Sequence, residues 1–241
     1  MIYNYNNRGC PHVRYDGVDL SEVFAVADVA IPALPPIEVL TMDLAQRAGS
    51  YYMGRRIGPR TLSVHLRVEA DSRCPLDVYK AWREGAGLVC KGSPKPLQLD
   101  EELSIDAILT GESAIEREGR WGTVEATFLA LDPYFYGRRH AVELDRNGSS
   151  FAVVGEEVAP VVEARATAST VTVTNRVTGE FVRVPTIVGK ELTIDMDAQM
   201  ARTSQGFTPC DLASDFFTVS GSACVAIEGA TGHLVYRERF L

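Results

Sequence analysis

Apolar and polar residues alternate along most of this chain with a period of two rather than 3.6, which predicts a β-rich protein. Between Pro59 and Ala70, Leu62, Val64, Leu66 and Val68 alternate with Ser63, His65 and Arg67, giving one apolar and one polar face of a long strand. Val124, Ala126, Phe128 and Ala130 alternate in the same way with Glu125 and Thr127. Upstream, Phe24 to Ile31 and Ile37 to Leu44 read as strands divided by the segment Pro32 to Pro36, whose prolines interrupt pairing. One stretch has the helical period. Cys74-Pro75 is a start signal, Asp77 complements the dipole in the first turn, and Leu76, Tyr79, Trp82 and Ala86 share a face. With Gly85 and Gly87 as stops, the pattern predicts a single amphipathic helix over 75–84, laid on a sheet.

The texture of the chain changes after Leu131-Asp132-Pro133-Tyr134-Phe135-Tyr136-Gly137, because Asp-Pro ends a strand and an aromatic run with Arg138 and Arg139 follows. Beyond it come short strands separated by turn residues: His140 to Leu144, Ser150 to Val154, Val161 to Thr167, Thr170 to Asn175 and Glu180 to Val184. Glu191 to Asp195, Phe216 to Val219, Ala223 to Glu228 and His233 to Arg239 complete the series. Such spacing predicts an antiparallel sandwich. The 241 residues thus divide into a domain over 1–138, containing the helix, and a β-sandwich over 139–241, consistent with about 150 residues per domain.

Charge narrows the function. With 24 basic against 32 acidic residues the chain is net negative, which argues against general nucleic-acid binding. No apolar run has the length of a bilayer span, so no membrane partner is expected. Cys10, Cys74, Cys90, Cys210 and Cys224 are scattered and form no C-x-x-C pair, so they read as free thiols and no metal is expected. His12, His65, His140 and His233 lie far apart, and no nucleophile elbow, metalloprotease signature or P-loop accompanies them. Asp195 and Asp197 offer oxygens suited to calcium, but the remaining ligands are missing. Neither catalytic residues nor a cofactor are expected.

Two arginine groups remain, Arg47/Arg55/Arg56/Arg60 and Arg138/Arg139. The first flanks Gly49-Ser50-Tyr51-Tyr52-Met53-Gly54, which reads as an aromatic loop tip between two strands. Arginine with tyrosine is the composition of interface hot spots. Arg47, Tyr51, Tyr52, Arg55 and Arg56 are therefore the candidate inter-subunit residues, on an arm over Met42 to Pro59.

Taken together, the first β domain with its one helix, the Asp132-Pro133-Tyr134-Phe135-Tyr136-Gly137 closure and the ending Leu234-Val235-Tyr236-Arg237-Glu238-Arg239-Phe240-Leu241 resemble the distal tail protein family of siphophages, the siphovirus-type tail components. Arg60-Thr61-Leu62 feeding the long strand, Asn147-Gly148, Leu192-Thr193-Ile194-Asp195 and Asp215-Phe216 before Gly221 fit the same family. The resemblance implies a mainly β fold: a β-sandwich or split-barrel-like first domain with one α-helix, then a galectin-like antiparallel β-sandwich. It implies a structural, non-enzymatic phage or prophage tail-tip protein, located in the virion tail and assembled in the cytoplasm of the bacterial host. A homo-hexameric ring, with stacking of rings as an extension, would join the tail tube to the baseplate and receptor-binding apparatus. The implied partners are the tail tube protein, the tail-associated hub or lysin protein and the tape-measure protein, with DNA passing through the channel unbound. A competing reading is a carbohydrate-binding module, in which the second domain recognises host cell-wall sugars by stacking aromatics on their apolar faces, with Phe207, Phe216, Phe217 and Tyr236 available there although core burial is expected for most of them.

Overall fold

The two strongest alternating runs of the sequence lie side by side as antiparallel strands, paired without interruption from Arg60 opposite Ala130 to Glu69 opposite Trp121. The structure, a computed structural model, describes residues 12–45, 48–72, 74–100 and 102–241. Two units are distinguished, the first running to Phe135 and the second over Tyr136–Phe240.

In the first unit the strands are β1 (Arg14–Tyr15), β2 (Val18–Asp19), β3 (Ala25–Ala30), β4 (Ile37–Asp43), β5 (Ser50–Ile57) and β6 (Arg60–Glu69). The helix α1 (Pro75–Val89) follows, then β7 (Lys95–Gln98), β8 (Ser104–Leu109), β9 (Ile115–Glu118) and β10 (Trp121–Ala130). The sheet order is β3–β6–β10, with β8 and β9 sharing the far edge of β10, and β8 continuing through β7 and β1 to β2. On the inner face Leu62 meets Phe128, Val64 meets Ala126 and Leu66 meets Val124, all of them buried, as their alternation predicts. Tyr15 closes this core: its ring stands edge-on to Phe128 at 5.0 Å and its hydroxyl donates to the Ala107 carbonyl at 3.0 Å. Burial pushes the pKa of that hydroxyl up, with Asp16 and Cys90 adding to the effect.

Among the described residues α1 is the one α-helix, and it differs from expectation in length and face. It runs through Gly85 and Gly87 to Val89, and its buried line is Val78, Gly85 and Val89, with Trp82 half-buried, while Leu76 and Tyr79 face solvent. The glycines do not stop the helix because one of them is a contact. A Cβ on Gly85 would lie 2.3 Å from Cζ of Phe24, whose ring packs 5.0 Å from that of Trp82. Beneath the other end, Gly122 of β10 leaves room for Val78, whose Cγ1 would be 2.3 Å from an added Cβ. Two missing side chains therefore seat the helix on its support.

In the second unit the strands are β11 (Phe135–Leu144), whose first residue belongs to the first unit, β12 (Ser149–Val158), β13 (Val161–Ala166), β14 (Thr170–Asn175) and β15 (Phe181–Pro185). The series continues with β16 (Glu191–Asp195), β17 (Met200–Thr203), β18 (Gly206–Thr208), β19 (Val219–Glu228) and β20 (Ala230–Phe240). One sheet runs β11–β20–β13–β16–β17–β18, the other β12–β19–β14–β15. Val162, Ile194, Leu234, Val171, Val173 and Val182 fill the space between them. This is the antiparallel sandwich that the strand spacing predicts.

Crowding at the helix gives a sharp expectation for stability. Gly85→Ala and Gly122→Ala should each destabilise the fold by about 1–3 kcal/mol through overpacking. Gly87→Ala, whose Cβ meets nothing within 4 Å, should be neutral or stabilising by up to about 1 kcal/mol. Urea unfolding of the three variants checks this, and an unchanged Gly85→Ala midpoint would mean that the helix stands off Phe24.

Candidate assembly arm

β4 and β5 pair with each other and, among the described residues, with no other strand, forming a two-stranded sheet of their own. The register sets Ile37 opposite Ile57, Glu38 opposite Arg56, Val39 opposite Arg55 and Leu40 opposite Gly54. It then slips by one residue, so that Thr41 faces Tyr52 and Met42 faces Tyr51. The slip is a bulge, with Met53 as the extra residue and Gly54 at φ +142°, a conformation that side-chain-bearing residues avoid.

Tyr51, Tyr52, Arg55 and Arg56 of the predicted contact set lie on β5, and Arg47 lies outside the described residues. The segment Gly49 to Gly54 is not a loop tip. Ser50 onward is strand, because two adjacent tyrosines favour extended backbone and Gly54 serves the bulge rather than a turn. The connection falls earlier, between Asp43 and Ser50, where the Ser50 hydroxyl donates to Asp43 Oδ1 at 2.5 Å.

Directly paired residues share a face, so the ribbon has two distinct sides. Ile37, Val39, Thr41, Tyr52, Arg55 and Ile57 form one; Glu38, Leu40, Met42, Tyr51 and Arg56 form the other. Every residue of β4 is exposed, Val39 by 57%, and on β5 only Gly54 and Ile57 are half-buried, with Tyr52 at 66%. A two-stranded ribbon is marginal in water by itself. Seven large apolar side chains, Ile37, Val39, Leu40, Met42, Tyr51, Tyr52 and Met53, stand about half exposed on it. Completing their burial would contribute roughly 1 kcal/mol each, on the order of 7–10 kcal/mol together. That sum reaches the range of about 4–15 kcal/mol that association costs, whereas one face alone does not.

The root of the ribbon is fixed. The Gly58 amide donates to the Pro36 carbonyl at 2.8 Å, tying its two ends. Beside this turn Arg60 is 2% exposed and hydrogen-bonds to backbone carbonyls. Its Nε donates to the Pro133 carbonyl at 3.1 Å, its Nη1 to the Pro32 carbonyl at 3.0 Å, and its guanidinium lies 4.8 Å over the Phe135 ring. Burial holds its pKa below the ordinary arginine value. The sequence groups Arg60 with the arm arginines, but here it clamps the segment entering the arm to the end of the first unit. Among the described residues its Nη2 has no hydrogen-bond partner.

The second unit carries a different surface. Register places His233, Glu163, Thr193, Arg202 and Phe207 in one line across β20, β13, β16, β17 and β18. His233 Nε2 lies 3.1 Å from Glu163 Oε2, and Arg139 Nη2 lies 3.7 Å from Glu163 Oε1. Arg202 lies 4.8 Å over the ring of Phe207, which is 72% exposed, whereas Phe217 and Tyr236 are buried in the core. Asp195 spends Oδ1 on the amides of Asp197 and Ala198, both at 3.0 Å, forming a turn rather than a calcium cradle. Among the described residues no three His, Cys, Asp or Glu side chains gather as a metal site would require.

Comparison with known proteins follows the same division. Residues 155–240 match the family model of the siphovirus-type tail component, C-terminal domain. Across the whole chain, the fold is that of Dit from phage SPP1, described as a paradigm of the hub adsorption apparatus in phages infecting Gram-positive bacteria. The TM-score is 0.84 at 17% identity, covering 97% of this chain and 100% of that one. A chain of the phage P2 baseplate in its activated conformation aligns at a TM-score of 0.49 and 8% identity, over 97% of this chain and 91% of that one. No curated protein matches the sequence. Residues 155–240 thus match a tail-component domain, and the chain shares the fold of that Dit protein.

Arg60→Ala should cost roughly 2–5 kcal/mol, from the cavity and from two carbonyls left unpaired. Arg60→Met, which fills the space without a charge, should recover part of that loss. Chemical denaturation checks both; a loss under 1 kcal/mol for Arg60→Ala would remove the clamp role.

Proposed function

We propose that this chain is a structural protein of a siphophage tail tip, built to assemble with copies of itself through the β4–β5 arm. The carrying observation is the ribbon, whose apolar residues lie exposed on both faces and which pairs with no further strand among the described residues. In this reading the arm reaches a neighbouring copy, and repetition of that head-to-tail contact closes a ring of six. Arg47, Tyr51, Tyr52, Arg55 and Arg56 belong to the contact. The first domain, 1–138, builds the ring and its channel, and the galectin-like sandwich, 139–241, projects outward.

Such a ring joins the tail tube protein to the hub or lysin protein, with the tape-measure protein and then DNA passing through. An acidic chain suits that passage, because like charge keeps phosphate from binding. The role calls for no catalysis. Its place is the virion tail, after assembly in the bacterial cytoplasm.

A second reading rests on Phe207. An exposed ring at the edge of a line of polar groups is the arrangement that stacks on a sugar face while hydroxyls are hydrogen-bonded beside it. In that reading the second domain binds host cell-wall sugars.

Two experiments separate the readings. Native mass spectrometry should find hexamers or dodecamers, and replacing 37–57 by a short linker should give folded monomers; an intact ring after that deletion would sink the arm's role. On a glycan array the sugar reading requires binding that Phe207→Ala abolishes, and a silent array removes it.

A further inference from the structure

The assembly reading leaves open how the arm is held, and the register answers it. A ribbon lying on a flat neighbour hides one face, and an evolved surface ribbon would then carry polar residues on the other. This ribbon instead carries apolar residues on both faces, interspersed with Thr41 and Arg55 on one and Glu38 and Arg56 on the other. Val39 and Tyr52 are exposed on one face, Leu40 and Met42 on the other. Its edges are lightly guarded: β4 and β5 contain neither lysine nor proline and have a single bulge, with Glu38, Asp43, Arg55 and Arg56 as their charges. A two-stranded ribbon is marginal in water by itself, and exposed apolar residues on both of its sides mark both as contact surfaces.

We infer that in the assembled protein the arm occupies a slot, with both faces covered by copies of this same chain. The inference rests on the arm-mediated assembly proposed above. Charge favours a copy as the occupant. Over 37–57 three arginines stand against two acids, whereas the rest of the chain has 21 basic and 30 acidic residues. A slightly basic apolar ribbon thus meets an acidic body of its own kind. A slot also explains why the faces differ. Ile37, Val39 and Ile57 on one side are stiff β-branched residues, and Leu40 and Met42 on the other are adaptable. The first side suits a fixed seat and the second a closing layer.

Hydroxyl-radical footprinting of the full-length chain, read by mass spectrometry in its assembled and dissociated forms, tests the slot. Tyr52 reports on one face and Met42 on the other, with Phe207 as the exposed reference. Oxidation of both reporters should fall at least fivefold on assembly. An assembled oligomer in which either keeps its monomer reactivity overturns the slot while leaving arm-mediated assembly standing. A chain that stays monomeric overturns both. As a second measurement, Tyr52→Ser and Met42→Ser should each raise the self-association midpoint at least tenfold, although neither side chain supports the fold. An effect confined to one of them also defeats the slot.

Discussion

The unbroken ladder between β6 and β10 is the constraint to which the rest of the first unit is referred. Ten consecutive pairs fix which face of each strand looks inward, because a slip of one residue would turn Leu62, Val64 and Leu66 out to water. The helix is seated on it, since Gly122 within the ladder receives Val78. The arm is hung from it, since β5 returns to β6 through Gly58 and Pro59, and the first residue of β6 is the arginine that grips Pro32 and Pro133. One rigid pair thus carries both the buried core and the most exposed element of the unit.

Strand alternation made the two ladder strands and most of the sandwich legible from sequence, because a half-buried strand displays its burial at every second residue. The helix was only half legible. Spacing made Leu76, Tyr79, Trp82 and Ala86 one face, whereas packing buried Val78 and Val89 with Gly85 between them. A glycine used as a seat has no side chain to register in a hydrophobic pattern. It was read instead through its usual role as a helix stop.

The arm shows a similar mixture. Composition singles out its tyrosines and arginines, but the bounding glycines make the stretch read as a loop. Only the register reveals that Gly54 makes a bulge and that the tyrosines point to opposite faces. Arg60 escaped for another reason. Burial of an arginine against backbone carbonyls is uncommon, since desolvation disfavours the charge, and sequence gives no sign of which carbonyls will receive it.

A naked ribbon also has a consequence for the lifetime of single copies in a cell. A freshly made chain displays extended apolar backbone with open edges, the kind of surface that proteases cleave, chaperones hold and other strands join. If the arm is buried on assembly as proposed, copies made in excess would carry that mark continuously, while assembled ones would not. The same element that would build the particle would therefore also regulate supply, removing unused subunits and keeping stoichiometry without any dedicated control.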